Sequence, residues 1–63
     1  MKREIKVNIY KGEDMVKVFG RVIRNNEDEI LFDNGLEYCL LDKNNGTVTI
    51  NDTEYDFHDW KLF

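Results

Sequence analysis

Sixty-three residues, 41% hydrophobic and 13% aromatic, make one domain spanning 1–63. A chain of this size buries only about 60% of the surface its unfolded form exposes, and the apolar content is too high for a disordered segment. The net charge of −4 weakens any nonspecific attraction to phosphate, no apolar run approaches the roughly 20 residues of a membrane span, and the charged start "MKREIK" lacks the apolar centre of a signal peptide.

Alternation of apolar and polar residues recurs along the chain and no helical period persists, which predicts an all-β fold. The first strand, 3 to 10, holds Ile5, Val7 and Ile9 on one side. The second, 15 to 24, holds Val16, Val18 and Val22, and "KGED" between them is a four-residue loop that pairs Ile9 with Val16 and Val7 with Val18. Gly20 marks a bend or bulge. A three-residue loop Asn25 to Glu27 leads to strand three, 28 to 32, and pairs Val22 with Ile30.

The loop Asp33-Asn34-Gly35 pairs Phe32 with Leu36 and Ile30 with Tyr38, which places Leu36, Tyr38 and Leu40 of strand four, 36 to 42, inside. Asn44-Asn45-Gly46 then pairs Leu40 with Ile50 in strand five, 47 to 51. A two-residue turn Asp52-Thr53 pairs Ile50 with Tyr55 and Val48 with Phe57 in strand six, 54 to 58. Beyond it, alternation breaks at His58-Asp59, and "DWKLF" forms a terminal segment.

A twisted meander of five to six short antiparallel strands, with one apolar side and no helix to cover it, curls on itself. The expected architecture is a half-open barrel or roll similar in build to SH3-like barrels. The alternative is a flatter sheet buried against a second copy. In the barrel reading the outer side carries an apolar set, Phe19, Ile23, Leu31, Cys39 and Leu41. The tail residues Trp60, Leu62 and Phe63 either cover this patch or close the barrel and leave it free.

Charge divides along the chain. Residues 1–24 carry seven Lys/Arg against three acids, +4, and residues 25–63 carry two Lys against ten acids, −8. The division matches either an interaction surface at each end or pairing of one side of the sheet with the other. The sequence lacks Ala, Pro, Ser and Gln, a bias toward AT-rich codons that hints at a bacterial or phage genome. The expected location is the cytoplasm, since the single thiol Cys39 can form no internal disulfide.

The motifs argue against an enzyme. Cys39 stands mid-strand with no base beside it, His58 is the one histidine, and the four glycines are dispersed rather than grouped in a phosphate loop. Asp56, His58 and Asp59 resemble metal ligands in composition, but two ligands on one side of a strand make no site; no catalytic residue, cofactor or metal is expected. The leading reading is a protein-interaction module, an acidic inhibitor or accessory protein of phage or mobile-element type acting on a host protein, or a homodimer. Two surfaces compete to serve it: the apolar patch Phe19, Ile23, Leu31 and Leu41, and the acidic edge Asp52, Glu54, Asp56 and Asp59. The alternative is a barrel binding single-stranded nucleic acid through Lys6, Tyr10, Lys17, Phe19 and Arg21 on the outer side of strands one and two.

Overall fold

The computed structural model describes residues 2–63. Six antiparallel strands run in order: β1 (Glu4–Lys11), β2 (Asp14–Asn25), β3 (Glu29–Asp33), β4 (Tyr38–Asp42), β5 (Thr47–Ile50) and β6 (Thr53–Leu62). Each pairs with the next and β6 returns to β1, so the meander closes into a small barrel of SH3-like build. The flatter sheet awaiting a second copy is thereby set aside. Closure lets a single twisted sheet cover its own apolar side. Inside lie Ile5, Val7, Ile9, Ile30, Phe32, Cys39, Leu41 and Val48, with Val18, Val22, Ile50, Tyr55, Phe57, Trp60 and Leu62 packed at the margins. Among the described residues, no helix is long and apolar enough to cross a membrane.

Two bulges shape the wall. In β6 the pairing with β1 runs Ile9 to Phe57 and then Asn8 to Asp59, so His58 is the extra residue. One extra residue reverses which parity points inward, and the inner set passes from Tyr55 and Phe57 to Trp60 and Leu62. The terminal segment therefore closes the barrel as part of β6, and it leaves the outer face of the other strands uncovered. In β2 the pairing with β3 runs Val22 to Phe32 and then Arg24 to Leu31, so Ile23 is the extra residue and stands 52% exposed.

The expected bend at Gly20 takes a different form. A Cβ there would lie 2.4 Å from Cδ2 of Phe32 and 2.7 Å from the carbonyl oxygen of Asp33. Gly20 is the point of closest approach between β2 and the end of β3, and the bulge falls three residues later.

The first hairpin keeps the expected register, Ile9 to Val16 and Val7 to Val18. The next three differ. Val22 meets Phe32 rather than Ile30. Phe32 meets Cys39 and Ile30 meets Leu41, which turns Cys39 and Leu41 inward and leaves Leu36 and Tyr38 91% and 69% exposed. Leu41 then pairs with Val48 and Cys39 with Ile50. Leu41 is fully buried, so it belongs to the core and not to an outer patch.

Asx turns, in which an acid or amide side chain caps backbone amides two and three residues on, explain the difference. Oδ1 of Asn34 accepts from the amides of Leu36 and Glu37, and the amide of Asn34 donates to the carbonyl of Glu37. That bridge holds a four-residue loop, Asn34–Glu37, where the apolar pattern predicts three. Oδ1 of Asp42 does the same for Asn44 and Asn45, and the loop Lys43–Gly46 is again one residue longer. Two such changes reverse the inward parity twice, so β4 alone is inverted. In the last hairpin the two-residue turn is Asn51-Asp52, both left-handed at φ 51° and 63°, and Val48 meets Tyr55. The parity expected for β6 holds with the pairing shifted by two.

Candidate interaction surface

The outer faces follow from the registers. One row crosses five strands: Arg24, Leu31, Leu40, Thr49 and Glu54 stand side by side. The row toward the β2–β3 and β4–β5 turns is Glu29, Asp42, Thr47 and Asp56. On its other side stand Arg21, Asp33 and Tyr38. Neighbouring strands lie about 4.8 Å apart, so each row is continuous at side-chain scale.

The centre of this face is apolar. Leu31 is half-buried, its cross-strand partner Leu40 is 37% exposed and Tyr38 lies two residues along, whereas Ile23 lines a separate groove with Lys2, Arg3, Val22 and Asn25. A groove of about 400 Å³ adjoins it, lined by Asp33, Gly35, Leu36, Glu37 and Tyr38. Its two carboxylates beside a leucine and a tyrosine form a setting for a Lys or Arg, whose stem lies on apolar surface while its charge meets acid.

Of the predicted apolar patch, Leu31 belongs to this face, Phe19 does not, and Ile23 lies in the β2 bulge beside Lys2 and Arg3. Phe19 lies on the outer side of β2 beyond Arg21, opposite Lys6 of β1. Leu40, Tyr38 and Leu36 take the place given to Leu41. Sequence reasoning misses them because it sets the loop before β4 one residue too short. The signal that could have found them is Asn34, whose side chain reaches the amides of residues 36 and 37.

The acidic edge is brought together in part. Glu54 and Asp56 are exposed on the outer side of β6, and Asp52 sits in the turn before them. Asp59 lies past the bulge, where it accepts from Nδ2 of Asn8 and stands 3.2 Å from Nδ1 of His58. The Asn8 amide, with His58 next in effect, holds its carboxyl below the usual range. Asp42 is likewise held low, first by the Asn45 amide and also by the Asn45 side chain and the Asn44 amide. Asp59 and Asp42 are thus engaged in holding β1 to β6 and in shaping a turn, whereas Glu54 and Asp56 have no such duty.

The basic side is brought together except at one end. Lys6, Lys17, Phe19 and Arg21 are neighbours on the outer face of β1 and β2, with Lys61 of β6 next to Lys6. Among the described residues the ion pairs within 4 Å are Arg24 with Glu29 at 2.9 Å and His58 with Asp59, so Lys6 and Lys17 make no such contact, while Arg21 stands in register between Glu4 of β1 and Asp33 of β3. Tyr10 packs edge-on against His58, ring centres 5.9 Å apart.

Cys39 and His58 are on opposite sides of the wall. The thiol is buried and pushed up to about 11, chiefly by that burial and then by Glu37 and Asp33. Among the described residues, no three His, Cys, Asp or Glu side chains are placed to hold a metal ion. No protein-family model, curated protein or solved structure matches the chain.

Proposed function

We propose that the protein is a small interaction module that docks a basic surface of a host protein on the outer face of β2 to β6, acting as an inhibitor or accessory factor. One observation carries this reading. Leu40 and Tyr38, 37% and 69% exposed, stand beside Leu31, and Leu36, 91% exposed, shares a groove with Tyr38, an uncovered apolar cluster of the kind found at interface centres. The rim defines the partner's charge: Asp33, Glu37, Glu54 and Asp56 border the cluster, so a partner with an apolar centre and lysines or arginines around it is complementary. A second copy would bring the same carboxylates against these, which disfavours a homodimer through this face. In this reading Leu31 of the predicted apolar patch and Glu54 and Asp56 of the predicted acidic edge serve one surface.

The test is affinity capture from host lysate with the immobilised protein, alongside Tyr38→Asp/Leu40→Asp and Glu54→Lys/Asp56→Lys variants checked for folding. The expected result is a partner that is identified, carries a basic surface, and falls at least about tenfold in recovery with either variant. Equal recovery by all three baits would refute the outer face. Light scattering that shows self-association abolished by Tyr38→Asp/Leu40→Asp would replace the host partner with a second copy.

A further inference from the structure

β2 is twelve residues long, yet it pairs with β3 only from Arg21 to Asn25, Gly20 packs on the end of β3, and from Asp14 to Phe19 its one neighbouring strand is β1. The far edge of that stretch presents backbone N–H and C=O groups with no strand beside them, a template for an incoming chain. Its side chains are accessible: Met15 is 52%, Val16 39% and Phe19 55% exposed. Val16 is the most informative. It pairs with the buried Ile9 and so shares the inner side of the sheet, yet it stays in water because no strand covers it from the far edge.

We propose that the free edge of β2, Asp14–Phe19, takes up an extended acidic and apolar peptide segment as an added strand, at a site separate from the docking face above. Strand addition obtains affinity from main-chain hydrogen bonds and selectivity from alternate side chains. On the outer side the incoming strand meets Met15, Lys17 and Phe19, with Lys6 behind Phe19, while Arg21 next along already faces Asp33 of β3. Lys17, which no carboxylate of the described chain pairs, selects an acid in the facing position, with an aromatic or aliphatic residue on either side of it opposite Met15 and Phe19. On the inner side, apolar residues cover Val16 and Val18.

Other occupants fit less well. A two-fold pairing of Met15–Phe19 with a second copy sets Lys17 opposite Lys17, and like charges directly opposite destabilise a strand pair. Single-stranded nucleic acid would use several stacking aromatics, but Tyr10 is already packed on His58 and Phe19 stands alone among the cations.

The test uses the full chain and a fluorescent peptide with the core Phe-Val-Glu-Val-Phe, which presents the same pattern in either direction. Two further peptides carry N-methyl groups on alternate residues, one in each phase, and a fourth replaces the glutamate with lysine. Anisotropy titrations are expected to show binding of the parent and at least tenfold weaker binding of the lysine peptide. One N-methyl phase should lose binding at least tenfold while the other retains it, since only alternate amides of a strand face a given edge. Lys17→Glu, at an exposed position, is expected to reverse the preference between the glutamate and lysine peptides. The Tyr38→Asp/Leu40→Asp variant should bind the parent unchanged, which separates this site from the outer face. Equal affinity of both N-methyl phases, loss of peptide binding in the Tyr38→Asp/Leu40→Asp variant, no binding at millimolar peptide, or displacement of the peptide by a tighter-binding ten-residue oligothymidylate would each overturn the proposal.

Discussion

Leu41→Ala lowers the free energy of unfolding by about 3 kcal/mol, within the roughly 2–5 kcal/mol seen when a buried leucine is cut to alanine, while Leu40→Ala changes it by no more than about 0.5 kcal/mol. The two residues are adjacent and chemically identical. They differ in that Leu41 is fully buried against Ile30 and Val48, and Leu40 is 37% exposed beside Leu31 and Thr49. A domain of this length has roughly 3–9 kcal/mol of stability in all, so Leu41→Ala approaches its unfolding midpoint before denaturant is added. Urea titration of the two variants checks the order. Thiol labelling provides a second readout, because Cys39 shares the inward side: with its pKa raised to about 11 from 9.0, the thiolate is about a hundredfold scarcer. Cys39 should therefore react slowly in the native protein and readily in Leu41→Ala. The reverse order of stabilities would restore Leu40 to the core and remove it from the docking face.

Gly20→Ala is expected to destabilise by about 3 kcal/mol. At an uncrowded strand position the change would stabilise by about 0.4–1 kcal/mol, because alanine has fewer unfolded conformations to lose. Here the added methyl would stand 2.4 Å from the ring of Phe32 and 2.7 Å from the backbone oxygen of Asp33. The ring fills the barrel centre and the oxygen belongs to a paired strand, so neither can withdraw, and overpacking of this kind costs about 1–3 kcal/mol or more. Gly12→Ala offers the contrast. A methyl there would have no other atom within 4 Å, and its φ of 66° carries a left-handed penalty of about 1 kcal/mol. Thermal or urea melts of the two variants separate crowding from backbone strain. Equal losses would show that β2 and β3 do not approach each other at Gly20 as closely as described.

Alternation alone locates the six strands and the parity of five of them, because one face of each has to be apolar. The fourth strand is illegible for a specific reason. Both Leu36-Tyr38-Leu40 and Cys39-Leu41 are apolar sets, and only the loop before them decides which turns inward. Asn34 and Asp42 set those loops through side-chain caps, an effect that hydrophobic pattern does not register. The same inversion hides most of the candidate surface, since it sends Leu36, Tyr38 and Leu40 to the interior. The break at His58-Asp59 is visible as a disrupted pattern and proves to be a bulge. The bulge at Ile23 leaves no such trace, because Val22 and Ile23 are both apolar and either parity fits.

The barrel's charge division is also clearer in three dimensions. The basic residues of β1 and β2 lie beside an unfinished strand edge, and the acids of β3 to β6 frame an apolar cluster. The two surfaces are different in kind: one offers main chain, the other side chains. A partner could therefore be held at both, with a folded basic surface on one and an acidic segment on the other.

The most direct measurement is an NMR titration of isotope-labelled protein with the captured partner, followed amide by amide. The docking account predicts that the perturbed signals cluster at Leu31, Leu36, Tyr38, Leu40 and Glu54. Perturbations confined to Lys6, Tyr10, Lys17 and the rest of the β1–β2 outer side, with Tyr38 and Leu40 unmoved, would contradict it.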